Sequence, residues 1–214
     1  MATTKTTRVK AGSAPKPARI AYPDVEPGSR AAWRAWLAAN HETSAGVWLV
    51  NHKKGSGKPS LRYDDIVEEC LCFGWVDSLV NKLDDERSRL LCTPRKPKSA
   101  WSRPNKERIE RLVAAGAMAP RGLAAVALAK ENGTWSKLDA VEDLVVPDDL
   151  ARELAARPGA RETWDAFPRS VKRGILEWIV QAKRSETRDK RVTETATLAA
   201  RGERANQWRP KASS

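Results

Sequence analysis

Residues 63–102 read YDDIVEECLCFGWVDSLVNKLDDERSRLLCTPRKPKSAWS, and their hydrophobic period changes from that of a helix to that of a strand. Ile66, Cys70 and Phe73 recur at i, i+4 and i+7 with Val67 and Leu71 beside them, which predicts a helix with one broad apolar face. Asp64 and Asp65 open it, where negative charge suits the helix dipole, and Gly74 is placed to end it. Residues 76–83 and 87–93 then read as two strands joined by the acidic turn Asp84-Asp85-Glu86. Alternation in the second strand puts Ser88, Leu90 and Cys92 on one face and Arg87, Arg89 and Leu91 on the other. A helix followed directly by a hairpin commits the chain to a mixed fold in which helices cover a sheet. With a short buried strand at 46–50, the expected fold is α+β and predominantly α-helical. It comprises a small three-stranded antiparallel sheet packed with helices and a helical C-terminal region.

The rest of the chain extends this centre. Residues 1–27 are rich in Thr, Lys, Pro and Ala and read as a disordered basic tail. Residues 28–146 form the expected α+β domain with its central hairpin, 147–204 the helical C-terminal region, and 205–214 a second disordered tail. Ser29 is a suitable N-cap for a helix over 30–39, in which Trp33, Trp36 and Leu37 share one face. Pro104 near the start of a helix and Gly116 at its end bracket another, and an Ala-rich helix follows over 120–131. Shorter helices are expected after Pro147, over 160–167, over 170–183 and from Ser185 to about 201, where Gly202 stops the last.

Charge is segregated along this frame. The chain of 214 residues carries +12, of which +5 falls on residues 1–23 and +7 on 169–214, leaving the middle neutral. Within the middle, residues 87–106 hold seven Lys and Arg and no acid, against an acidic stretch from Asp64 to Glu86. Such a distribution favours acidic partners, a small anion or a nucleic acid. Cys70, Cys72 and Cys92 are three in number and lack the spacing of a redox pair or a zinc site, so they are expected as buried free thiols. No cofactor and no metal site is expected. Nine Trp against two Phe and two Tyr predict several indoles at core edges, where the ring is covered and the N–H finds a partner. No apolar run is long enough for a transmembrane segment, and the first residues lack the apolar core of an export signal, which places the protein in the cytoplasm.

Two constellations are candidate sites. Trp75, Asp77, Arg89, Arg95, Trp101 and Ser102 cluster around the hairpin's exit, and arginine beside tryptophan suits a planar or phosphorylated anion through forked hydrogen bonds and stacking. The structural alternative is an ion pair of Asp77 with Arg89 or Arg95 that pins the hairpin. Arg184, Arg188 and Arg191, with Lys183 and Lys190, form a basic corner between two helices that would contact phosphates; the alternative is a solvated helix face. The basic loop at 52–60 is not a Walker A loop, since His52 stands where glycine is needed and Pro59 where Ser or Thr is needed. His41 and His52 sit in no catalytic signature, so no catalytic residue is named.

The ordered set Glu68-Glu69-Cys70-Leu71-Cys72-Phe73-Gly74-Trp75-Val76-Asp77, then Thr93-Pro94-Arg95-Lys96-Pro97, Trp101-Ser102 and Ala117-Met118-Ala119-Pro120-Arg121-Gly122, continues with Trp178-Ile179 and Ala182-Lys183-Arg184-Ser185-Glu186-Thr187-Arg188 to Arg191. In this order, over about residues 29–204, the chain resembles the YdeI/OmpD-associated, or bacteriocin-protection, family. The resemblance implies a link to antimicrobial-peptide resistance and to an outer-membrane porin, with family members predicted to be periplasmic; it brings no reaction, cofactor or catalytic residue. The expected function is that of a non-enzymatic bacterial binding protein for an anionic ligand. The rival readings are a nucleic-acid-binding protein using its basic ends and an uncharacterised hydrolase or transferase.

Overall fold

The computed structural model describes residues 21–207; the parts of the two expected tails at 1–20 and 208–214 lie outside the described residues. The elements are, in order, β1 (Asp24–Val25), α1 (Arg30–Asn40), β2 (Val47–His52), α2 (Tyr63–Cys72), β3 (Trp75–Lys82), β4 (Arg87–Pro94), α3 (Arg103–Ala114), α4 (Pro120–Glu131), α5 (Asp139–Glu142), α6 (Asp148–Ala155), α7 (Ala160–Ala166), α8 (Arg169–Val180) and α9 (Ser185–Ala199). The fold is α+β. Its sheet differs from the expected three antiparallel strands: it has four, in the order β1-β2-β4-β3, and is mixed. β4 pairs antiparallel with both β2 and β3, while β1 runs parallel to β2, with Asp24 opposite Trp48. β1 falls inside the stretch read as tail. Two residues are too few to show a strand's alternation, so β1 has no signature in the sequence.

The hairpin and its helix form where the periodicity puts them. Leu90 and Cys92 of β4 face the core, as alternation requires, beside Leu49 and Val47 of β2. The β3–β4 ladder slips between Asp77 and Val80, a bulge that gives the hairpin its bend. Ser29 caps α1 by accepting from the Ala32 N–H. Ser185 is the first residue of α9, and Arg184 holds the cap position without a side-chain bond.

Two apolar clusters organise the molecule. One gathers Trp33, Leu37, Ile66, Cys70, Trp75, Trp101 and Leu112 around the sheet; the other gathers Leu150, Leu154, Trp164, Ile175, Ile179, Val192 and Ala196 among the last helices. Trp36, Trp48, Trp135 and Trp178 are half-buried, as expected, whereas Trp33, Trp75, Trp101 and Trp164 are fully buried. Trp33 donates to the Ile66 carbonyl and Trp75 to the His41 carbonyl, so these two indoles lose little by entering the core. All three cysteines are buried free thiols. The acidic side of α2 is neutralised from both flanks. Arg30 and Arg34 of α1 hold the buried Glu69 at 2.7 Å each, and Arg108 of α3 holds Asp64 at 2.6 Å.

Glycine sets the approach of α4 to α2. A Cβ on Gly122 would lie 2.1 Å from the Cys72 carbonyl oxygen, so only glycine lets the start of α4 close on the end of α2. Gly74 itself adopts φ +70°, the left-handed turn that releases the chain from α2 into β3, and its carbonyl accepts from the Arg95 N–H.

Candidate functional site

The segment from Arg95 to Trp101 leaves the sheet and closes over α4. It is anchored at three points. The Arg95 N–H bonds the Gly74 carbonyl, the Asn132 amide donates to the Pro97 carbonyl at 3.0 Å, and the Trp101 N–H donates to the Thr134 carbonyl. Between this segment, Gly74 and α4 lies a cavity of ≈ 160 Å³. Arg95, Lys96 and Arg121 bring three positive charges to it; Trp101, Pro97, Ala124, Ala125, Leu128 and Ala129 bring apolar surface. None of these lining residues is a carboxylate, His, Cys or Ser.

Arg95 is the unusual member. Its guanidinium lies 3.7 Å from the Trp101 ring centroid, a close stack. Nη2 donates to the Ala100 carbonyl at 2.7 Å, but Nε and Nη1 are buried without a hydrogen-bond partner. Burial pulls its pKa down to about 10, partly opposed by the negative charge of Asp77. A guanidinium normally keeps its charge in a protein because its donors find acceptors, so buried donors without a partner among the described residues carry a desolvation cost. The arrangement can hold an anion.

The six residues expected as one site do not all meet. Arg95 and Trp101 line the cavity together. Trp75 is in the core, edge-on to Trp36. Asp77 makes neither expected ion pair; it accepts from the Tyr63 hydroxyl at 2.6 Å, and burial with this carboxylate beside it pushes the Tyr63 phenol pKa up. Arg89 lies on the far side of the sheet, over Trp48 at 4.6 Å and paired with Asp24 at 3.0 Å. Ser102 precedes α3, and its carbonyl accepts from the N–H groups of Asn105 and Lys106. In the second constellation, Arg188 is paired with Asp149 at 2.6 Å, and Arg191 donates to the Trp178 carbonyl and stacks over its ring. Arg184 alone of the three is exposed at the start of α9.

Arg121 and the α4 face were not expected at the site. A signal exists in the sequence, since Arg121, Ala124, Ala125 and Leu128 fall on one helical face behind the required Gly122. Which face meets the 95–101 segment is set by packing alone. Among the described residues, no group of three or more His, Cys, Asp or Glu is arranged to hold a metal ion, and no helix is long and apolar enough to cross a membrane.

Comparison with known families divides the chain in two. Residues 25–125 match the model of a domain of unknown function (DUF8412), and residues 143–202 match the model described as Bacteriocin-protection, YdeI or OmpD-Associated. No curated protein and no solved structure matches. The resemblance read over 29–204 therefore holds for its C-terminal part, with Trp178, Arg188 and Arg191. The motifs from Glu68 to Gly122 fall in the other match. Residues 143–202 are thus similar to the bacteriocin-protection, YdeI or OmpD-associated family, a partial match that leaves the cavity in the part of the chain before it.

Proposed function

We propose that the protein binds a small anionic ligand without transforming it, in the cavity where Arg95 stacks on Trp101. One observation carries this reading: Arg95, its guanidinium stacked on Trp101, lines a cavity that collects three cations and no carboxylate. An anion in the cavity would meet this charge in a partly desolvated place, where a charge-assisted interaction is strongest. The exposed Lys96 and Arg121 would draw the anion in and screen it only weakly. The bacteriocin-protection match of residues 143–202 supports a setting in antimicrobial-peptide or envelope stress. The nucleic-acid reading receives no comparable support, because Arg188 and Arg191 already have partners within the fold.

The test is thermal unfolding at constant ionic strength with sodium acetate, benzoate or phosphate exchanged for chloride. At least one of the three should raise the wild-type Tm and leave that of Arg95→Met unchanged. A wild-type Tm indifferent to all three would overturn the reading.

A further inference from the structure

Resting on that reading, we infer that the anion the cavity selects is a carboxylate carried on a single flat, apolar ring, rather than a free phosphate or an aliphatic acid. The inference comes from the wall opposite the cations. Ala124, Ala125, Leu128 and Ala129 present methyl groups along one face of α4, and Pro97 and the Trp101 ring complete an apolar enclosure. Three alanines beside one leucine make a low wall against which a planar body can lie. Cavities of roughly 150 Å³ are known to take a benzene-sized molecule, and this one measures ≈ 160 Å³.

The polar side agrees with a monoanion. A phosphate has many acceptor positions and is met in proteins by nests of backbone N–H groups or several converging donors. Here the unpartnered buried donors belong to a single guanidinium, and Arg121 and Lys96 stand exposed at the rim. A carboxylate has two oxygens, and Arg95 with one rim cation satisfies both. The ring would then fill the apolar half, so that affinity comes from the body and orientation from the charge.

Four probes separate the possibilities: sodium benzoate, sodium acetate, sodium phosphate and neutral benzyl alcohol, each tested by thermal unfolding and by calorimetric titration of the full chain. Benzoate should bind at least roughly tenfold more tightly than acetate, reflecting the buried ring. At saturating concentration it should raise the Tm by about 3 °C, with phosphate and benzyl alcohol giving no shift. Ala124→Leu, at an exposed position of α4, should remove the benzoate shift and spare the weaker acetate response. Equal binding of acetate and benzoate, or preference for phosphate, overturns the ring while leaving the anion site standing. Benzyl alcohol binding as well as benzoate overturns the need for charge. Silence from all four overturns both readings.

Discussion

Arg95 and Arg173 are both partly withdrawn from water, and the protein treats them in opposite ways. Arg173, on α8, sends Nε and Nη2 to the buried Glu142 at 3.0 and 2.7 Å and Nη1 to Glu177 at 2.9 Å. These bonds raise its pKa above the ordinary value, and Arg173 in turn holds the Glu142 carboxyl below the usual carboxylate range. Arg95 has no carboxylate at hydrogen-bond distance, stacks on an indole, and has its pKa lowered. The first arginine ties α8 to α5 and so belongs to the fold. The second keeps one hydrogen bond, to the Ala100 carbonyl, and carries the desolvation cost of Nε and Nη1, for which the described residues supply no acceptor.

The sharpest way to break this contrast is to remove one partner from each site. Glu142→Ala strands Arg173 with Glu177 alone and should cost about 2–3 kcal/mol, read as a fall in Tm of roughly 6 °C. Arg95→Met should do the reverse. Replacing a dry cation by an apolar chain of similar length should add about 1 kcal/mol, raising the Tm by about 3 °C while abolishing any anion response. A fall in Tm on Arg95→Met would show that the stack on Trp101 is structural and the unpaired donors incidental.

The two pH dependences share a sign, stability rising with pH, but fall at opposite ends of the pH scale. Glu142 has a folded pKa below its ordinary 4.5, so its contribution is whole above that value and fades as pH falls through the acid range. Glu142→Gln should therefore lose stability at neutral pH and show a shallower acid decline than wild type. Arg95 has a folded pKa near 10 against an ordinary 12.5, so between these values the unfolded chain binds more protons. Stability from this group then rises with pH, and the Tm advantage of Arg95→Met should narrow above pH 10. The smallest effect is expected at the half-exposed Arg188–Asp149 pair, where Arg188→Gln should cost about 0.5–1 kcal/mol, measured by denaturant midpoint.

The helices and the hairpin were readable because each repeats a pattern over several turns or pleats. Ile66, Cys70 and Phe73 mark α2, and the alternation of Ser88, Leu90 and Cys92 marks β4, with no knowledge of the neighbours. β1 was not readable because two residues carry no period, and its place beside β2 comes from a parallel pairing across the sheet. The candidate site was half readable. Arg95 and Trp101 could be associated because they stand six positions apart on one short segment that contains Pro97. Asp77 and Arg89 could not be excluded from the site, since register decides which face a strand residue takes and the bulge beside Asp77 shifts that register.

Local physics thus determined a good deal by itself: the longer helices, the hairpin, the buried thiols and the acid-then-base segregation around the hairpin. Tertiary structure decided which charges are satisfied. The eight acids between Asp64 and Glu86 look in sequence like the natural counterparts of the basic residues that follow them. In the fold, Glu69 turns to Arg30 and Arg34, Asp64 to Arg108 and Asp77 to Tyr63, leaving Arg95 without a carboxylate partner. Charge balance along a chain is a sum over residues. Pairing is a matter of a few ångströms, and here that distance was set by the approach of α4 to α2 at Gly122 and by the closure of the 95–101 segment over it.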